Sequence, residues 1–118
     1  MNFYCYYSIF NSRNQEGGKM KKIEIENLLD KFNISVDILG YKYLIKAIEI
    51  YTKEANIKIA AIYGQVAKEY NSTACRVERA IRHSIESNEE RIKQYFKVDY
   101  KITNKRFLAL VVREMERR

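Results

Sequence analysis

Five side chains that can hydrogen-bond to base edges or phosphates lie close together in the string RVERAIRH, which spans Arg76 to His83. Three are arginines, one is Glu78 and one is the single histidine. A planar guanidinium bonds bidentately to guanine, and a carboxylate accepts a hydrogen bond from the amino group of cytosine. This mixture suits the reading of bases in a DNA major groove better than a plain run of lysines would.

A helix over Thr73 to Ser87 would place these side chains on one outer face. At about 100° per residue, one side of that helix collects the small and apolar residues Ala74, Val77, Ile81, Ser84 and Ile85. The opposite side carries Cys75, Arg79, Arg82 and Glu86, flanked by Arg76 and His83 on one edge and by Glu78 on the other. The solvated face of an ordinary surface helix is the competing interpretation, and the pattern alone leaves both open.

A second short helix and a tight polar turn come before this one. An apolar stripe of the kind that packs on a core recurs every four residues, at Ile62, Val66 and Tyr70. Asn71 tolerates the left-handed conformation that ends a helix, and Ser72 or Thr73 can accept a hydrogen bond from the amides that open the next. The stretch from Ile62 to Glu86 is therefore predicted to be a helix-turn-helix.

Three strings resemble a known family: ILGYKYLIKAIEIY (Ile38 to Tyr51), IYGQVAKEYNSTACRVERAIRHSIE (Ile62 to Glu86) and TNKRFLALV (Thr103 to Val111). The family is the C-terminal DNA-binding domain of the stage zero sporulation response regulator, the sporulation initiation factor A family. RVERAIRH resembles its recognition-helix signature, and the resemblance covers roughly Lys21 to Arg118. It implies an effector domain that binds double-stranded DNA at a TGTCGAA-like box.

Carried over residue by residue, the resemblance implies two groups of DNA contacts. The base readers would be Arg76, Glu78 and Arg79, and the backbone contacts would be Arg82 and His83. Lys68 and Ser72 are further candidates for phosphate contacts, although a lysine on a helix surface and a serine at a cap are ordinary features. His83 is the weakest member, because a lone histidine beside a helix face is often merely exposed.

The sequence also departs from the family pattern. Full-length members place a phosphorylatable receiver domain before this domain, and phosphorylation drives their dimerisation on DNA. The 118 residues include no receiver, so the chain is expected to act without phosphorylation control of its own. The segment between Ile85 and Thr103 is shorter than its counterpart, which leaves the dimer geometry open. Gly64-Gln65 replaces the usual Pro-Asp, and Cys75 stands where serine is usual.

Composition favours a single all-α domain, because proline is absent, glycine occurs only four times, and isoleucine, leucine, lysine and glutamate are abundant. Residues 1–20 are predicted to be a loosely ordered leader or an oligomer contact, aromatic in Met1–Phe10 and then polar with a Gly17-Gly18 hinge. Residues 21–118 are predicted to be the helix-turn-helix domain. About six helices are expected, at Lys21–Phe32, Tyr41–Asn56, Ile62–Tyr70, Thr73–Ser87, Asn88–Phe96 and Asn104–Glu116.

A formal net charge of +7, combined with a helix-turn-helix, favours nucleic acid over a membrane as partner. No apolar run is long enough to span a bilayer, and the first residues lack a secretory signal, so a cytoplasmic location is expected. The two cysteines and one histidine form no metal-ligand pattern, and no phosphate loop or catalytic constellation occurs. We therefore expect no metal, no cofactor and no enzymatic activity.

Two functions from different classes fit these patterns. The first is a sequence-specific transcription regulator that binds double-stranded DNA, alone or as a homodimer on DNA. The second is an interaction protein that pairs with a full-length regulator, through its outer helices or aromatic leader, and modulates it. Footprinting with the chain alone would distinguish the two.

Overall fold

The computed structural model describes residues 14–54 and 56–117, with side chains from Lys22 onward. These residues form six α-helices and no strand: α1 (Asn14–Lys31), α2 (Leu39–Lys53), α3 (Ile59–Glu69), α4 (Ala74–Ser87), α5 (Glu89–Phe96) and α6 (Asn104–Glu116). The predicted all-α class and the number of helices are confirmed. None of the helices in this part of the chain is long and apolar enough to cross a membrane.

Several helix boundaries differ from those predicted. The first helix begins at Asn14 rather than at Lys21, and it runs through Gly17 and Gly18, which were expected to form a hinge. Glycine weakens a helix by only about 1 kcal/mol per residue, which neighbouring helix-forming residues can offset. The aromatic segment predicted at Met1–Phe10 lies outside the described residues. Helix α2 spans Leu39–Lys53 instead of Tyr41–Asn56, and α3 begins three residues before Ile62.

The core is built around α2, which packs against α1, α3, α4 and α6. Ile25, Leu28 and Leu29 of α1, together with Phe32 just after it, are all fully buried. The same holds or nearly holds for Phe107, Leu108, Val111 and Val112 of α6. Tyr51, Tyr70 and Met115 are half-buried and pack against the margin of the core.

Helices α2 and α4 come close together at Gly40. A Cβ atom built on this residue would overlap the Oγ atom of Ser84 and lie 2.6 Å from the carbonyl oxygen of Ala80. The Ser84 hydroxyl itself donates a hydrogen bond to the Ala80 carbonyl at 3.0 Å, so this buried serine is satisfied within its own helix. The absence of a side chain at residue 40 therefore sets the distance between α2 and α4.

Three helices end in the same way, at a residue with a left-handed backbone. These residues are Asn33 after α1, Asn71 after α3 and Lys97 after α5, with φ angles of 63°, 53° and 58°. In each case the next amide donates to a carbonyl five residues back, as in Ser72 N to Ala67 O at 2.8 Å. This bond satisfies a carbonyl that the helix end would otherwise leave free.

Candidate nucleic-acid interface

Helices α3 and α4 are joined by a turn whose hydrogen bonds are all local. Asn71 adopts the left-handed conformation expected of it, and the Ser72 amide closes the end of α3 on Ala67. The Oγ1 atom of Thr73 then accepts a hydrogen bond from the Arg76 amide at 3.2 Å and caps the start of α4. Of the two residues predicted as alternative caps, Thr73 takes this role and Ser72 does not. The geometry is consistent with the predicted helix-turn-helix.

The two faces of α4 match the helical projection. Val77, Ile81, Ser84 and Ile85 are buried, each at most 1% exposed. Cys75, Arg79, Arg82 and Glu86 are exposed on the opposite side, and so are Arg76 and His83 on the flank. Ala74 was assigned to the buried side but is exposed, because the first residue of α4 projects beyond the core. The outer face of α4 is a continuous surface rich in arginine.

Glu78 and Arg82 lie one helical turn apart and form an ion pair. The Nε atom of Arg82 is 3.7 Å from an Oε atom of Glu78, and the two side chains are 49% and 35% exposed. A solvent-accessible pair of this kind contributes about 0–1 kcal/mol to stability. Both groups can therefore leave the pair at little cost when a ligand offers each of them a better partner.

The two phosphate candidates outside α4 lie at the end of α3. Lys68 is exposed in the last turn of the helix. Ser72 is half-buried in the turn, where its backbone amide is already bonded to Ala67. The structure thus places Lys68 and Ser72 close in sequence to the start of α4, and it leaves the Lys68 ammonium in solvent.

Aromatic contacts hold the end of α3 against α2. The rings of Tyr43 and Tyr70 have centroids 5.5 Å apart, and the Nζ atom of Lys42 lies 5.1 Å from the centre of the Tyr70 ring. Burial raises the pKa of the Tyr70 hydroxyl, and the nearby Glu69 and Glu49 carboxylates raise it further. These contacts fix the residue that immediately precedes the turn.

Asn104 and Tyr63, which no sequence pattern indicated, form a hydrogen-bonded bridge that reaches the backbone of α4. Asn104, the first residue of α6, donates from Nδ2 to the Tyr63 hydroxyl oxygen at 2.9 Å and to the Glu78 carbonyl oxygen at 3.4 Å. Burial raises the pKa of Tyr63, the bond from Asn104 lowers it, and the charges of Glu78 and Arg82 act in opposite directions. No local sequence signal identifies this contact, because Tyr63 and Asn104 are 41 residues apart.

The described residues contain no group of three or more His, Cys, Asp or Glu side chains that could hold a metal ion. The one cysteine in this part of the chain is Cys75, a free and exposed thiol on the outer face of α4. The chemistry of the interface is therefore that of arginine, glutamate and amide hydrogen bonding.

Comparison with protein-family models places these features in a known family. The model described as "Sporulation initiation factor Spo0A C terminal" matches residues 25–115. The match includes α2, α3, α4 and α5 in full, together with the buried part of α1 and nearly all of α6. Members of this family are DNA-binding domains that regulate transcription as the effector part of a sporulation response regulator. The chain belongs to the Spo0A C-terminal domain family and carries its DNA-binding effector domain.

Proposed function

We propose that this chain is a sequence-specific transcription regulator that inserts the outer face of α4 into the major groove of double-stranded DNA. The observation that supports this most directly is the arrangement of α4, in which arginines cover the face opposite the buried residues. A major groove about 12 Å wide admits a single α-helix and presents a distinct pattern of donors and acceptors for each base pair. The net charge of +7 adds a sequence-independent attraction to phosphates.

Within this proposal the side chains divide into two groups. Arg76, Glu78 and Arg79, in the first half of α4, contact base edges. The phosphates on either side of the groove are contacted by Arg82, His83, Lys68 and Ser72. Residues near the start of a recognition helix commonly approach the bases, whereas those farther along or on the preceding helix meet the backbone.

The ion pair between Glu78 and Arg82 explains how one of these residues can contact a base while the other contacts a phosphate. In the free chain each charge has the other as its partner. On DNA, Arg82 can move to a phosphate while the Glu78 carboxylate accepts a hydrogen bond from a cytosine amino group. The exchange replaces one weak pair by two charge-assisted bonds, so it favours sites with a cytosine within reach of Glu78.

The target expected from the family is a TGTCGAA-like box. Selection of binding sites from random double-stranded DNA with the purified chain should enrich this box, and footprinting should show protection over it. A selection that returns no sequence preference would refute the proposal. It would instead favour a protein that pairs with a full-length regulator and modulates it.

Arg79 gives the sharpest single-residue test of base reading. Arg79→Ala should weaken binding to the selected site by about 1–3 kcal/mol and relax the preference at one base pair, because a bidentate guanine contact is lost. Arg113→Ala is the matched control, since it removes the same charge from an exposed position on α6. If both variants weakened binding equally at every sequence, Arg79 would be acting through its charge alone.

We further propose that DNA binding by this chain requires no phosphoryl transfer. The bonds from Ser72 N to Ala67 O and from Arg76 N to Thr73 Oγ1 form the turn and the cap of α4 in the unmodified chain, so the outer face of α4 needs no covalent change to form. Acetyl phosphate should leave DNA affinity unchanged, and a marked increase would contradict this.

A homodimer on DNA and a cytoplasmic location are the assembly and compartment that fit this function.

A further inference from the structure

Asn104 connects α3, α4 and α6 at one point close to the outer face of α4. It is 8% exposed and directly follows Thr103, which caps α6. Its Nδ2 group donates to two acceptors, the Tyr63 hydroxyl of α3 and the Glu78 main-chain carbonyl of α4. The bond to Tyr63 is the shorter of the two, at 2.9 Å against 3.4 Å.

These hydrogen bonds restrain α4 in a way that its apolar contacts do not. The buried side chains Val77, Ile81 and Ile85 hold α4 onto the core, but hydrophobic contact is non-directional, so it resists a small rotation about the helix axis less than a hydrogen bond does. A hydrogen bond to a main-chain carbonyl weakens steeply when its angle changes. The bond from Asn104 acts on the carbonyl of Glu78, one residue before Arg79. A small rotation of α4 at this point would move the side chains of Glu78 and Arg79 together.

We propose that Asn104 is a positioning residue for base recognition, which sets the sequence specificity of α4 through Tyr63 and the Glu78 carbonyl without touching DNA. This inference rests on the proposed function. Hydrogen bonds to base edges require the reading side chains to be held within about 0.5 Å and 10–20° of their productive geometry. Phosphate contacts by long, flexible side chains tolerate larger displacements, so specificity should depend on Asn104 far more than general DNA affinity does.

The test compares two affinities at one fixed salt concentration, for the selected site and for random duplex DNA. Asn104→Ala should reduce the ratio of these affinities by about tenfold, the amount usually carried by one base pair, while random DNA is bound within about twofold of the parent. Tyr63→Phe should reduce the ratio in the same direction but by less, because it keeps the ring and removes one of the two bonds.

Thr103→Ala serves as the matched control. It removes the side-chain cap of the same helix, at the neighbouring residue, without removing either bond that Asn104 makes. It should lower thermal stability and leave the specificity ratio unchanged. A loss of ratio in Thr103→Ala equal to that in Asn104→Ala would mean that specificity follows the stability of α6, and this would overturn the proposal.

The double variant Tyr63→Phe/Asn104→Ala provides a second check, because both changes break the same bridge. Its ratio of specific to random affinity should equal that of Asn104→Ala. If the loss in the double variant were instead the product of the two single-variant losses, the two changes would act independently, and this would overturn the inference. If the parent selects a site and both single variants keep its full ratio, the positioning role fails and the DNA-binding function stands. If the parent selects no site, the proposed function itself has failed.

Discussion

Replacing Gly40 by alanine should destabilise the chain, although alanine is the better helix former. The new Cβ atom would lie 2.6 Å from the Ala80 carbonyl oxygen, and ordinary contact begins at 3.4 Å. Helices α2 and α4 would therefore have to separate by the difference, about 0.8 Å, in a close-packed interior. The carbonyl belongs to the backbone of α4 and cannot rotate away as a side chain would.

The expected cost follows from two opposing effects. Overpacking of this kind costs about 1–3 kcal/mol. The gain in helix propensity from glycine to alanine is at most about 1 kcal/mol, and less in the first turn of a helix, where Gly40 lies. The net expectation is a loss of about 0.5–2.5 kcal/mol in the free energy of unfolding. Urea denaturation followed by circular dichroism measures it as a lower midpoint with an unchanged slope.

Gly64→Ala is the matched control, because a Cβ atom at Gly64 would meet nothing within 4 Å in the interior of α3. The same chemical change should there stabilise the chain by about 0.5–1 kcal/mol. Adding Ser84→Ala to Gly40→Ala should restore part of the loss, since it removes the hydroxyl contact but not the carbonyl contact. If Gly40→Ala matched or exceeded the parent in stability, the close approach of α2 and α4 would not exist as described.

Three further predictions concern single side chains. Arg82→Ala should weaken binding to the specific site and to random DNA alike, and it should reduce the slope of log affinity against log salt by about one unit. A loss confined to the specific site would contradict the role of Arg82 as a phosphate contact. Alkylation of Cys75 should abolish DNA binding without changing the circular dichroism spectrum, whereas the Cys75→Ser variant should still bind DNA after the same treatment. Full DNA affinity of the alkylated parent would show that Cys75 does not face the DNA. Glu89 accepts a hydrogen bond from the Ile102 amide at 3.0 Å, with the charges of Lys101 and Lys93 nearby, and these lower its pKa in the folded chain below the usual 4.5. The contribution of ionised Glu89 to the stability of the fold is therefore complete above the unfolded-state pKa and is lost as pH falls through the folded-state pKa. The difference in free energy of unfolding between the parent and Glu89→Gln should accordingly close in acid. A difference that does not depend on pH would refute this.

Local patterns in the sequence predicted much of the candidate site. The outer and buried faces of α4 follow from helical periodicity alone, and the turn follows from the side-chain chemistry of Asn71 and Thr73. Glycine was a misleading signal: all four glycines lie inside helices, whereas the described left-handed positions carry asparagine or lysine. This explains why the start of α1 was placed too late.

The contacts that the sequence could not reveal are those between distant residues. Gly40 contacts Ala80 and Ser84 across a helix crossing, and Asn104 reaches Tyr63 from another helix. Neither contact has a periodicity or a motif, because each depends on how complete helices pack. The roles of Arg76, Glu78, Arg79, Arg82, His83, Lys68 and Ser72 toward DNA stay predictions, since the fold shows their exposure and not their partner.

The difference between local and distant bonds also has a consequence for the order in which the chain assembles. The turn between α3 and α4 closes through the bond from Ser72 to Ala67, five residues apart, whereas the bond between Asn104 and Tyr63 closes a loop of 41 residues. Each doubling of loop length adds about 0.6 kcal/mol of closure entropy, so the longer loop costs about 2 kcal/mol more. We therefore expect the turn between α3 and α4 to form before α6 docks, so that α4 is in place before Asn104, the residue proposed to position it.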